Sequence, residues 1–161
     1  MHEDEMEHFT FAVNSRARLD PPVPETYFGN CLALGIASTK SLLLLGEEGF
    51  LTGAKLIAEA ISDMVHSEGG VLKDAEIWFS KLNEMKGDRI LGVNGSPKFS
   101  LHDIDFGWGK PKKFEVGFDT GSMSLNGSKD SEGGLEIGLS LPTNKMDAFV
   151  NIFADGLKIN L

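Results

Sequence analysis

Cys31 is the chain's only cysteine, so no internal disulfide can form and a reducing compartment is expected. Long apolar runs are missing too. The longest, Leu42 to Leu45, falls far short of the ~20 residues a membrane helix needs. Basic residues are scarce: 15 Lys+Arg stand against 24 Asp+Glu, a net charge of −9. That balance argues against nucleic acid or an anionic membrane surface as the main partner. The opening stretch, Met1 to Glu7, is acidic and lacks the basic-then-apolar pattern of a secretory leader. The expected location is therefore cytoplasmic, and the formal sequon Asn126-Gly127-Ser128 carries little weight without secretion. No phosphate-binding P-loop, dinucleotide fingerprint or zinc-ligand spacing appears, so no metal or resident cofactor is expected.

What is present fits one α/β domain by size: 161 residues, 41% hydrophobic and 24% charged. Phe9, Phe11 and Val13 alternate with Thr10, Ala12 and Asn14, a strand with one buried face; Arg16 and Arg18 continue the parity of Asn14. Leu19 to Glu25 holds three prolines and reads as an extended loop, and Cys31 to Ala37 as a second strand. Phe50, Ala54, Ile57, Ala58, Ile61 and Val65 recur at helical spacing, predicting an amphipathic helix over Glu47 to Ser67 closed by Gly69-Gly70. Leu72, Ala75, Trp78, Phe79 and Leu82 predict a shorter helix ending near Gly87, and both helices read as core-packing elements. Arg89 to Val93 reads as a short strand before the turn cluster Asn94-Gly95-Ser96-Pro97. Phe114, Val116 and Phe118 alternate, as do Met123 and Leu125. Asn126 to Gly133 is a hairpin loop, and Leu135, Ile137, Leu139 and Leu141 alternate along the next strand. Pro142-Thr143-Asn144 opens a last helix carrying Met146, Phe149, Val150 and Phe153, with Gly156 as its stop. The pattern by itself supports α and β elements around a mixed sheet.

Asp105-Phe106-Gly107-Trp108-Gly109-Lys110-Pro111 is the most informative segment. Glycine permits positive φ and close approach of a ligand, and the Trp108 indole N–H is a donor that never accepts. Two readings follow: a Gly-Trp turn covering a core, or a pre-shaped bend lining a cleft. Asp105 to Pro111 resembles the DFGWGKP motif of the plant BAHD acyltransferases, which move acyl groups from coenzyme A to alcohols or amines. Arg16-Ala17-Arg18-Leu19-Asp20-Pro21-Pro22, Pro24 and Tyr27-Phe28-Gly29-Asn30-Cys31 are similar to the RxRLxPPxP…YFGNC stretch of the branch that malonylates anthocyanin and phenolic glucosides. Gly134 to Leu141 resembles the family's late GGxEIGLSL strand, and the three matches follow in family order.

The resemblance implies a chloramphenicol-acetyltransferase-like α/β fold, a mixed sheet with flanking helices, of which 1–161 would be the incomplete C-terminal acyltransferase domain. The family's general base is the His of an HxxxD motif. Four residues after His2, His8, His66 and His102 stand Met6, Ala12, Gly70 and Phe106, so the motif is absent from this chain. The base, and with it the N-terminal half of the enzyme, is expected to lie elsewhere, leaving the isolated chain inactive. The implied reaction transfers an acyl group, malonyl by branch, from coenzyme A as co-substrate to a hydroxyl of a glycosylated phenolic acceptor. A rival from another class is a non-catalytic truncated paralogue that binds coenzyme A or an intact acyltransferase.

The resemblance also assigns roles. Trp108 is the possible oxyanion donor. Gly107 and Gly109 let the backbone pass close to coenzyme A, and Ser96 and Lys98 are its further contacts, the lysine as a point charge for phosphate. Asn30 is a polar positioning group in the substrate pocket. Asp105 is structural, paired with Arg16 or, as second choice, Arg18. Cys31 reads as a buried small hydrophobe, not a nucleophile. Adjacent His102 and Asp103 face opposite ways on an extended segment and make no acid–base pair. Asn14 stands where the family often has Asp, a lost charge beside the RxR segment.

Overall fold

The computed structural model describes residues 4–114 and 121–158. Two compact units divide it, Met1–Gly92 and Val93–Leu161. In the first, strand β1 (Met6–Asn14) pairs antiparallel with β2 (Leu32–Lys40), in register from Met6 opposite Lys40 to Asn14 opposite Leu32. The alternation that predicts β1 is therefore real, but the strand ends at Asn14. Arg16–Arg18 is a 3-10 turn and does not continue the strand. The reason is local: the Ser15 amide turns aside to the Cys31 carbonyl at 3.0 Å, and Arg18 N–H closes a turn on Ser15 O at 2.9 Å.

β2 buries Ala33, Gly35 and Ala37 on one face. Their small size matters. The Phe11 ring lies where a side chain at its register partner Gly35 would stand, so an aromatic residue covers the glycine. Phe9 and Phe11 themselves meet with centroids 5.9 Å apart. After the short helix α1 (Ser41–Leu44), helix α2 (Gly49–His66) packs against β2. Its span matches expectation to within two residues at each end, but its buried face does not. Gly53, Leu56, Ile57, Ala60 and Met64 are the half-buried side, while Phe50, Ala54, Ile61 and Val65 are exposed, Phe50 at 83%. The helix carries two apolar stripes. Gly53 and Ala37 both border the cavity between helix and strand.

The second predicted helix is broken. Asp74 adopts a left-handed conformation (φ 60), so a 3-10 turn at Ala75–Ile77 precedes the α-helix proper, α3 (Trp78–Glu84). Strand β3 (Arg89–Asn94) follows and straddles the unit boundary. The hydrogen-bonded order is β2-β1-β3 in the first unit and β3-β4-β5 in the second.

In the second unit, β4 (Ser122–Gly127) and β5 (Leu135–Ser140) form an antiparallel hairpin in register from Ser122 opposite Ser140 to Gly127 opposite Leu135. Ser128 N–H closes its loop on Gly134 O at 2.9 Å. Val116 and Phe118 of the expected alternation lie outside the described residues. Helix α4 (Thr143–Lys158) begins where expected but passes through Gly156. One interior glycine costs a helix only about 1 kcal/mol against alanine, too little to end it. Phe149 and Phe153, one turn apart, stack at 5.5 Å.

Among the described residues the buried apolar side chains are few and mostly small: Cys31, Ala33, Ala37, Val71 and Val93. Larger ones, including Phe28, Phe50, Phe106, Trp108 and Ile152, stand in solvent. No helix among the described residues is long and apolar enough to cross a membrane.

Candidate functional site

Asp105 shapes the glycine-bracketed loop. Its Oδ1 accepts the Gly107 N–H at 2.7 Å and the Gly109 N–H at 2.9 Å. Both glycines sit at positive φ, 93 and 95, a backbone that a Cβ would strain although open space surrounds them. One carboxylate oxygen thus ties down two alternate amides, and the residue between them, Trp108, projects outward at 93% exposure. Phe106 is exposed as well. The indole N–H therefore stands on a braced turn, free to approach a ligand atom.

Beside this loop, Lys110 Nζ donates to Asp103 Oδ1 at 2.7 Å, and that bond holds the Asp103 carboxyl below the usual carboxylate range. His102 faces Glu136 instead, its Nε2 3.8 Å from Oε2. The neighbours thus serve different partners, but from a 3-10 turn over Leu101–Asp103 and not from the extended segment expected, and His102 Nδ1 is buried with no partner among the described residues. Pro97, His102, Lys110 and Lys129 help wall a cavity of about 470 Å³ in this unit. Ser96 and Lys98 sit on the turn just before it, where the Ser96 hydroxyl accepts the Lys98 amide at 3.2 Å. The Lys98 side chain is exposed.

The first unit holds the Tyr27–Cys31 segment. Arg16 pins it: Nη2 donates to the carbonyls of Gly29, at 2.5 Å, and Tyr27, at 3.4 Å. Asn14 Oδ1 in turn accepts the Arg16 amide at 3.1 Å and its Nη1 at 3.4 Å. Asparagine supplies the acceptor oxygen an aspartate would offer there. Arg18 Nη1 donates to the Asn14 carbonyl at 2.8 Å. Asn30 is exposed and Cys31 buried. Arg16 belongs to the first unit and Asp105 to the second, and each has the partners just given inside its own.

Sequence reasoning missed a group in the first unit. His8 Nδ1 lies 2.8 Å from Ser38 Oγ, and its Nε2 lies 3.1 Å from Asp88 Oδ2. The residues are 30 and 80 positions apart, so no local spacing announces them. Next to them Arg89 donates to Glu7 and to the buried Ser41 hydroxyl. No group of three or more His, Cys, Asp or Glu able to hold a metal occurs among the described residues.

Comparison with known proteins agrees with the loop signatures. A family model described as "Transferase family" matches residues 1–155. The chain is 48% identical over 158 residues to a Dahlia pinnata malonyl-coenzyme A:anthocyanin 3-O-glucoside-6''-O-malonyltransferase, covering 97% of this chain and 34% of that protein. It is 44% identical over 154 residues to a Salvia splendens malonyl-coenzyme:anthocyanin 5-O-glucoside-6'''-O-malonyltransferase, covering 94% and 33%. The chain thus spans about a third of the length of these relatives. The crystal structure of vinorine synthase superposes with a TM-score of 0.70 at 22% identity, over 91% of this chain and 34% of that one. That likeness establishes the fold expected from the motifs, chloramphenicol-acetyltransferase-like α/β with a mixed sheet and flanking helices. The chain belongs to this transferase family, the BAHD acyltransferases, and its kinship lies with their anthocyanin and phenolic-glucoside malonyltransferase branch.

Proposed function

We propose that this chain is the C-terminal portion of a cytoplasmic acyl-CoA-dependent O-acyltransferase that moves malonyl from coenzyme A to a sugar hydroxyl of a phenolic or anthocyanin glucoside. The observation that carries the reading is the Asp105 brace, which holds Trp108 out on a turn with no side chain on either side of it. In the reaction the acceptor hydroxyl attacks the thioester carbonyl, and negative charge gathers on its oxygen. The Trp108 indole N–H donates to that oxyanion, a contribution of about 3 kcal/mol when such a donor is well placed. Gly107 and Gly109 leave room for the pantetheine arm, and Ser96 and Lys98 meet the nucleotide phosphates. Asn30 orients a polar group in the substrate pocket. Asp105 acts structurally, spending one oxygen on its own loop. Proton removal from the acceptor falls to a histidine in the portion of the enzyme that precedes this one, so the chain alone gives no turnover.

The test is a chimera in which this chain replaces the matching third of the Dahlia enzyme. Malonyl transfer to an anthocyanin 3-O-glucoside is expected there, and none from the isolated chain. Trp108→Phe in the chimera keeps the ring and removes the N–H, so kcat is expected to fall about 100-fold with KM little changed. A chimera that folds and binds malonyl-CoA without turnover supports the non-catalytic paralogue instead.

A further inference from the structure

We propose that Ser38, His8 and Asp88 form a second nucleophilic site, separate from the tryptophan loop, that hydrolyses esters of short apolar acyl groups through an acyl-Ser38 intermediate. The three residues come from β2, β1 and the turn just before β3, neighbouring strands of the first unit. His8 and Ser38 are direct register partners across the antiparallel pair. That pairing sets the imidazole and the hydroxyl side by side, 2.8 Å apart.

The order of partners fixes the chemistry. Asp88 is a carboxylate and only accepts, so Nε2 of His8 carries the ring proton and donates it at 3.1 Å. Nδ1 then holds the lone pair and faces the Ser38 O–H. This is nucleophile, base and orienting carboxylate in sequence, recognised by geometry and role, not by chain order. The exposures are graded to match. His8 is 8% exposed, which holds the ring still; Ser38 is exposed, which lets a substrate reach it; Asp88 is partly exposed.

Ser38 shares its face of β2 with Leu34 and Ile36, and the three border a cavity of about 580 Å³. Ala60, Met64 and Trp78 add apolar walls. Asp63 and Asp74 also border it, the latter 3.5 Å from Lys81. An uncharged acyl chain can lie along the apolar walls with its carbonyl at Ser38.

In the first step Ser38 Oγ bonds the acyl carbon while its proton passes to Nδ1. The bond from that carbon to the alcohol oxygen breaks, and the leaving alkoxide takes the proton from Nδ1. Water then attacks the acyl-serine, giving its proton to Nδ1 and thence to Ser38 Oγ as the acid departs. Ester and water become acid and alcohol, with no oxidant or co-reactant.

The experiment treats the purified chain with a fluorophosphonate probe and with 4-nitrophenyl butyrate. A probe adduct mapped to Ser38 by mass spectrometry is expected, together with butyrate hydrolysis abolished in Ser38→Ala. His8→Gln is expected to slow labelling about 100-fold. Asp88→Asn, at a partly exposed position that leaves the fold intact by circular dichroism, is expected to slow it at least tenfold. No adduct on Ser38 in the folded chain, or equal labelling of the folded Asp88→Asn variant, overturns the proposal and leaves the two hydrogen bonds as mere partners for a buried imidazole.

Discussion

Replacing Asp105 by Ala and by Asn separates two ways in which this residue can matter. Its Oδ1 accepts two amides, at 2.7 and 2.9 Å, from glycines whose positive φ has no other visible support. Charge-assisted bonds of this kind exceed neutral ones, but the loop is exposed and water competes for both amides. About 0.5–1 kcal/mol apiece is a sensible net value, so the alanine variant loses about 1–2 kcal/mol of local loop stability. That corresponds to a roughly 5–30-fold rise in loop opening. The asparagine variant keeps an Oδ1 acceptor and should change opening less than about threefold, since only the charge assistance is lost. Amide hydrogen exchange at Gly107 and Gly109, followed by NMR, reads this directly. Asparagine exchanging as fast as alanine would falsify the acceptor argument and make the negative charge itself the property that counts. Unchanged exchange in both variants would mean that the loop is held by something else entirely.

Gly95→Ala should be severe: at φ 84 the new Cβ would lie 2.5 Å from the Leu125 carbonyl oxygen, and strain plus overpacking cost about 3–5 kcal/mol. A urea midpoint within error of the parent's would refute that close approach. Gly156→Ala is the opposite case, a helical glycine whose Cβ would meet nothing within 4 Å, and it should stabilise α4 by about 0.5–1 kcal/mol, read as a raised melting temperature. The Lys110 bond depresses the Asp103 carboxyl, so what that bond contributes is present above the unfolded carboxylate pKa and disappears as pH falls through the lowered one. Lys110→Met should move the Asp103 titration upward in an NMR pH series, and high salt should produce part of the same shift; no movement would mean that the pair does not persist in solution.

Strands with a clean two-residue period were legible in the sequence, because alternation depends only on which face a side chain takes. β1 and β5 are examples. The α2 span was legible for a similar reason, but not its orientation, since two apolar stripes share one helix and periodicity cannot say which one meets β2. Ile137 shows the limit in a strand: it keeps the apolar phase of β5 yet is 62% exposed. The Arg16–Arg18 turn was hidden because its cause is a backbone bond from Ser15 to Cys31, distant in sequence. At the tryptophan loop the bend was readable from its glycines. The acceptor role of Asp105 was available in the Asp-x-Gly pattern, since short carboxylates bond backbone amides two residues on. The His8–Ser38–Asp88 group had no local signature, because strand register alone brings it together.

Arg16 fastens the Tyr27–Gly29 bend through carbonyl oxygens, not through a carboxylate. Peptide carbonyls do not titrate, and guanidinium keeps its proton across any working pH. This latch is accordingly indifferent to acidification, and its partners carry no net charge for salt to screen. Exposed ion pairs such as Lys40 with Asp4 will come and go with the buffer while the bend stays shut. Lysine in the same place, with one ammonium on a flexible stem, would lose the second nitrogen, Nη1, that reaches Asn14 Oδ1 while Nη2 holds both carbonyls.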